Sequence, residues 1–247
     1  MNSLFDLSGQ KALVTGGSGA LGRALAEALI EAGAAVALAG TSDRTQAVAA
    51  DMGALSLQAD LADRDALQRM FAEALERLGG LDLLVACHGM TTRHKAEAFP
   101  LDEWDKILEV NLTSVFELCQ LAGRHLLAQG HGKIITVASM LSFSGGFTVP
   151  AYAASKGGVA QLTKALANEW AARGVNVNAI APGYFDTPLS AGVKNDPVRN
   201  RQVLERIPAG RWGQPADLKG AVVFLASRAS DYVHGIVLPV DGGWLSR

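Results

Sequence analysis

Lys11-Ala12-Leu13-Val14-Thr15, a short apolar run with a β-branched end, leads directly into Gly16-Gly17-Ser18-Gly19-Ala20-Leu21-Gly22, and helical apolar spacing then continues from Leu21 to Ala32. A strand that turns through glycines into a helix can receive a diphosphate. Such an anion needs backbone N–H groups with no side chain in the way, together with the positive end of a helix dipole. In this reading Gly16 makes the tight turn, Gly19 permits close approach and Gly22 lets the helix pack on the strand. Glycine is common at strand–helix joints, and a merely structural turn is the plainer reading. The position after the first strand of an alternating chain favours a dinucleotide.

The alternation continues along the chain. Short apolar runs at Ala34–Ala39, Leu55–Ala59, Leu81–Ala86, Lys133–Ala138, Val175–Ile180 and Ile236–Val240 follow the first one. Between them lie helical patterns at Arg64–Leu78, Leu101 to about Leu127, Ala151–Ala172 and Pro215–Ala226. Seven short strands separated by helices predict a doubly wound parallel sheet, an α/β fold, with strands apolar on both faces. No repeat or linker interrupts the 247 residues, so one domain is expected over 1–247. The polar stretch Asp186–Ile207 reads as an insertion over a site.

Composition narrows the function classes. Lys+Arg number 22 against 24 Asp+Glu, a near balance that argues against nucleic acid or an anionic membrane surface as partner. No apolar run approaches the ~18 residues that span a bilayer. Met1–Lys11 is polar and lacks the layout of a secretory signal, so a cytoplasmic protein is expected. Two cysteines, Cys87 and Cys119, make neither a disulfide framework nor a zinc site alone, and no metal is expected.

The end of the second strand, Gly40-Thr41-Ser42-Asp43-Arg44, decides how a cofactor ribose is met. No carboxylate there repels a 2′-phosphate, and Thr41, Ser42 and Arg44 are able to bind one, whereas Asp43 suits a free 2′-hydroxyl. NAD and NADP both stay open. Asp60, after the third strand, serves either an adenine amino group or the cap of the next helix.

Tyr152 and Lys156, four apart in a helical stretch, share one face. A phenol titrates near pH 10 and needs a shift of roughly three units, or about 4 kcal/mol, to act as a base at neutral pH. One ammonium about 4 Å away supplies about that much at an effective dielectric near 20. On this arithmetic a single lysine suffices. Ser139, at the carboxyl end of the fifth strand, is placed to hold a substrate oxygen against Tyr152. A surface Tyr/Lys pair is the bland alternative, and Ser139 together with the glycine turn weighs against it.

Taken together, Thr15–Gly22, Asp60-Leu61, Asn111 in Val110-Asn111-Leu112, Ser139, Tyr152-x-x-x-Lys156 and Pro182-Gly183 with Thr187 resemble the short-chain dehydrogenase/reductase family over essentially the whole chain. The resemblance implies a Rossmann-type fold and hydride transfer between a nicotinamide and a carbinol or ketone. It makes Tyr152 the general acid/base, Ser139 the residue that orients the substrate oxygen, and Lys156 the ligand of the nicotinamide ribose. Asn111 would hold a proton-relaying water through its backbone. Gly16, Ser18, Gly19, Leu21 and Gly22 would meet the diphosphate, and Thr41, Ser42, Asp60 and Leu61 the adenosine. Gly89, Pro182, Gly183, Phe185 and Thr187 would border the nicotinamide. The chain departs from the family at Ala20, where the turn pattern has glycine, and at Ala86-Cys87-His88-Gly89, where the family has Asn-Asn-Ala-Gly.

A narrower likeness, to the branch that acts on linear sugar acids, is carried by the segments Ala138–Phe143, Arg206–Gly213, Ser230–Val233 and Val240–Leu245. A carboxylate substrate calls for a cation, and Arg93 is the candidate because a guanidinium binds carboxylate in two-point fashion. Arg211 beside Trp212 is a second candidate, or else a subunit contact. His88 is either a substrate-pocket donor or a hydrogen-bonded structural histidine, and Cys87 is packing. The resemblance further implies a homotetramer. Against the sugar-acid reading stand a 3-oxoacyl carrier-protein reductase or another small-ketone reductase, and, in a different class, a non-catalytic nucleotide-binding regulator. The intact Ser/Tyr/Lys/Asn set weighs against the regulator, since a sensor has no use for a tuned phenol.

Overall fold

A computed structural model describes residues 4–247; Met1–Ser3, part of the polar start read above, lie outside the described residues. Seven strands form one sheet in the order β3-β2-β1-β4-β5-β6-β7, every pairing parallel. They are β1 Lys11–Thr15, β2 Ala35–Gly40, β3 Leu55–Gln58, β4 Leu83–Ala86, β5 Gly132–Val137, β6 Val175–Pro182 and β7 Val237–Val240. The order reverses between β1 and β4, which opens a crevice at the carboxyl ends of those strands.

Both faces of the sheet are buried, which explains the near-continuous apolar strands. Ala12 and Val14 of β1 pack into one core with Leu25 and Leu29 of α1 (Ala20–Glu31), whereas Leu13 points into the opposite core. That second core is closed by Leu67 and Phe71 of α3 (Arg64–Leu78), following α2 (Arg44–Met52), and by Leu118 of α5 (Ser114–Gln129), following α4 (Leu101–Leu108). Val159 and Trp170 of α6 (Pro150–Trp170) complete it.

Two elements differ from the sequence reading. Helix α2 has no counterpart in the apolar pattern, because its buried stripe is only Thr45, Val48 and Ala49. The long helix expected over Leu101 to Leu127 is interrupted by a π-turn at Glu109–Thr113, which separates α4 from α5. Farther on, the stretch 186–207 folds into a 3₁₀ turn, α7 (Ala191–Lys194) and α8 (Pro197–Arg206). With α9 (Lys219–Ala226) the helices are complete. Val193 and Val203 join Met140, Ile207, Trp212 and Trp244 in a small core apart from the two main ones.

The turn after β1 is as crowded as its glycines suggest. Gly16 has φ 66°, and a Cβ there would lie 2.8 Å from the His88 Cα. A Cβ on Gly22 would lie 2.2 Å from the Gly16 carbonyl oxygen, a contact with backbone that no rotamer relieves. Gly22→Ala is therefore expected to push α1 off the turn, lowering unfolding free energy by about 1–3 kcal/mol in urea titrations. A variant as stable as the parent would contradict this account of the turn.

Candidate active site

Two cavities meet at the carboxyl edge of the sheet. One, of about 660 Å³, runs along the switch point and is lined by Gly16, Ser18, Gly19, Leu21, Gly22, Thr41, Asp60, Leu61, Gly89 and Lys156, all residues read as cofactor contacts. The other, of about 330 Å³, is lined by Arg93, Ser139, Pro182, Gly183, Phe185 and residues of α8. Tyr152, Val137, Leu21, Thr187 and Leu189 belong to both, so the phenol sits at the junction.

The elongated cavity suits a dinucleotide. The α1 N-terminus faces it with no capping side chain and no acidic residue in its first turn, which leaves the positive end of the helix open to an anion. Gly40 and Arg44 line its adenosine end, but Ser42 does not. Asp43 is drawn aside by the Gln58 amide, which donates to its carboxylate at 3.4 Å. The Asp60 carboxylate lines the cavity and accepts from the Ala62 N–H at 3.0 Å, while Asp63 caps α3 instead.

Ser139 ends the extended run of β5 and caps a 3₁₀ turn, its Oγ accepting from the Leu141 N–H at 3.1 Å. Its hydroxyl is also the hydrogen-bond partner of the Tyr152 phenol, a contact that favours the phenolate. Ser142 then links strand to helix, accepting from the Ser139 N–H at 3.2 Å and donating to the Lys156 carbonyl at 2.6 Å. Asn111 fixes the other side. Its Oδ1 accepts from the Met90 N–H at 2.8 Å, and its Nδ2 donates to the Met90 carbonyl at 2.9 Å and to Ser155 Oγ at 3.2 Å. Asn111 lies within the π-turn, a feature frequent at functional sites. Gly89 lies between these groups: a Cβ there would sit 3.3 Å from Asn111 Oδ1 and 3.6 Å from Lys156 Nζ.

Lys156 stands near the Tyr152 ring, and Ser139 and Arg93 also act on the phenol. The Lys156 ammonium donates to the Val137 carbonyl at 2.6 Å and lies 5.8 Å from the Tyr152 ring centroid. Burial pushes the Tyr152 phenol up, and the Ser139 hydroxyl and the Arg93 charge pull it down. Burial also lowers Lys156 to about 8.

His88 is a structural histidine and not a substrate contact. Its Nδ1 meets Thr15 Oγ1 at 2.7 Å and its Nε2 meets Ser114 Oγ at 2.9 Å, both buried. Ser114 Oγ donates to the Val110 carbonyl at 2.7 Å, so it accepts from Nε2–H, and Thr15 donates to Nδ1. The ring thus joins β1 to Ser114, the first residue of α5, just past the π-turn. Burial, with the nearby Lys156 charge, pushes its pKa down to about 3. Cys87 is half-buried, packs against the α1-side core and is raised to about 11 by burial, which is packing and not nucleophilic chemistry. Arg211 is spent on Asp217, at 2.6 and 2.9 Å, and lies outside the Arg93 cavity. Trp212 is buried in the small core.

Comparison with known proteins gives a consistent picture. The profile of the family described as "Enoyl-(Acyl carrier protein) reductase" matches residues 17–245. The chain is 51% identical to a 2-dehydro-3-deoxy-D-gluconate 5-dehydrogenase of Bacillus subtilis, covering 100% of this chain and 99% of that one. It is 46% identical to its Escherichia coli namesake, with 99% of each covered. A solved gluconate 5-dehydrogenase of Burkholderia cenocepacia, in complex with NADP and tartrate, superposes with a TM-score of 0.94 at 38% identity, covering 99% and 98% of the two chains.

The neutral state of His88 has a pH signature. The unfolded chain takes up this proton at the ordinary 6.5 and the folded chain only near 3. The stability contributed is whole above pH 6.5 and drains as pH falls, by about 1.4 kcal/mol per unit. Urea unfolding at pH 7, 6 and 5 should show this slope in the parent, and His88→Gln should flatten it between pH 6.5 and 5. An unchanged slope in the variant would contradict the assignment.

Proposed function

The chain belongs to the short-chain dehydrogenase/reductase family, and from that footing we propose that it is an NAD(P)-dependent oxidoreductase of linear sugar acids, of the 2-dehydro-3-deoxy-D-gluconate 5-dehydrogenase kind. The observation that carries this reading is the meeting of Tyr152, Ser139 and Lys156 where the dinucleotide cleft opens into a cavity holding Arg93.

A bound nicotinamide dinucleotide supplies the carbon that exchanges hydride with the substrate. The chain's own residues do the rest. Ser139 Oγ, the hydrogen-bond partner of the phenol, donates to the substrate oxygen when it binds and fixes it beside Tyr152. Tyr152 Oη takes the hydroxyl proton when the alcohol is oxidised and returns it when the ketone is reduced. Lys156 holds positive charge beneath the ring, and Arg93 adds to it from the substrate side. At the adenosine end, Gly40 presents no carboxylate and Arg44 presents a guanidinium, so a 2′-phosphate is accommodated and NADP is included among the cofactors. No helix of the described residues is long and apolar enough to cross a membrane. A cytoplasmic homotetramer is the corresponding proposal for location and assembly, with the half-exposed Phe116 of α5 available to a subunit contact.

Tyr152→Phe should lower kcat by roughly 10²–10⁴-fold while leaving NADP affinity, read by fluorescence titration, largely intact. Retained turnover would remove the phenol as acid/base. Arg93→Ala should raise KM for sugar acids much more than for neutral polyols, and equal effects on the two would remove it as the carboxylate partner.

A further inference from the structure

The helix face that closes the substrate cavity is α8, which presents Arg199, Gln202, Val203 and Arg206 to it. The spacing 199, 202, 203 and 206 is one stripe of a helix. Val203 faces the small core and anchors the stripe, as does Asn200, whose Oδ1 accepts from Trp212 Nε1 at 2.7 Å. The position of α8 is thus set by packing.

The charges on this segment do not balance within the cavity. Each of its three carboxylates is engaged elsewhere: Asp186 with Lys194, Asp196 with the Val198 and Arg199 N–H groups at 2.9 and 3.1 Å, and Glu205 with Arg201 at 3.8 Å on the outer face. Arg206 stacks over Trp244 at 4.1 Å. Like Arg206, Arg199 and Arg93 have no carboxylate partner among the described residues, and neither has a ring contact to hold it. No Asp or Glu lines that cavity among the described residues. The backbone beside Arg93 is tied down, since the adjacent His94 N–H donates at 3.0 Å to the carbonyl of Thr148, a residue with φ 64° in the loop before α6. Burial lowers the Arg93 pKa, and the Arg199 charge adds to that effect.

Two guanidiniums lining one cavity, with no carboxylate partner and no acidic residue in its lining, form a site for an anion. We propose that Arg199 is a specificity-determining residue and that one substrate carboxylate bridges it to Arg93. This deepens the sugar-acid reading and rests on it for the substrate class. The stripe of α8 then selects acids over neutral polyols of the same length.

The test uses D-gluconate and its uncharged counterpart D-glucitol as ligands of the NADP-loaded full-length protein, with dissociation constants from calorimetry. Arg199→Gln should weaken gluconate roughly 10- to 100-fold relative to glucitol, as expected for loss of a charge-assisted contact. Arg199→Lys should recover part of the difference, and Arg201→Gln, on the outer face of α8, should change nothing. Because both guanidiniums grip one carboxylate, Arg93→Ala combined with Arg199→Gln should cost less than the product of the single effects. A ratio shifted by less than threefold in Arg199→Gln, effects that simply multiply, or a parent with no preference for gluconate would each overturn the proposal. Turnover of a panel of keto- and deoxy-hexonates by the parent separates the two readings. If no acid is turned over but gluconate binding still depends on Arg199, the activity assigned above fails and the anion site stands.

Discussion

A buried phenol can serve as a base only where positive charge reaches it, and at Tyr152 burial works against ionisation. Lys156 is the nearest cation along the helix, yet its ammonium is tied to the Val137 carbonyl and lies some way beneath the ring. Part of the field therefore comes from Arg93 on the substrate wall. This explains why the site lies at the junction of two cavities. The charges that make the phenol useful stand on different elements, and only the carboxyl edge of the sheet brings those elements together.

Backbone-directed contacts hold that edge rigid. Asn111 ties the π-turn to Met90 and to Ser155 of α6, Ser142 ties the end of β5 to α6, and His88 ties β1 to the start of α5. Each of these groups satisfies donors and acceptors that burial would otherwise leave unpaired. Imidazole at position 88 does so with a single tautomer, because the Ser114 proton is already committed to Val110.

The sheet was legible in the sequence because apolar runs such as Lys11–Thr15 and Leu83–Ala86 are buried on both faces and have no other way to fold. The glycine turn and the Tyr152/Lys156 pair were legible because their spacing is itself the geometry. Less could be read where tertiary contacts decide. Nothing in Glu109–Thr113 breaks a helix, and the π-turn follows from the demand of the Met90 backbone on the Asn111 amide. The direction of the Lys156 ammonium was beyond helical periodicity, which gives a shared face but no distance. Arg211 looked like a free cation until folding placed Asp217 beside it, whereas Arg199 carried no signal beyond its place in a polar segment.

That contrast bears on how chemistry and selectivity are divided in this molecule. Ser139, Tyr152 and Lys156 stand on β5 and α6, which are built into the main cores, so their arrangement is as stiff as the domain. The wall bearing Arg199 and Arg206 rests on its own small core of Met140, Val193, Val203, Ile207, Trp212 and Trp244. Substitutions on the cavity-facing stripe of α8 can alter the charge of the cavity without disturbing the strands that hold the reacting groups. A fold arranged in this way can keep one hydride-transfer geometry while the second wall changes the acid it accepts.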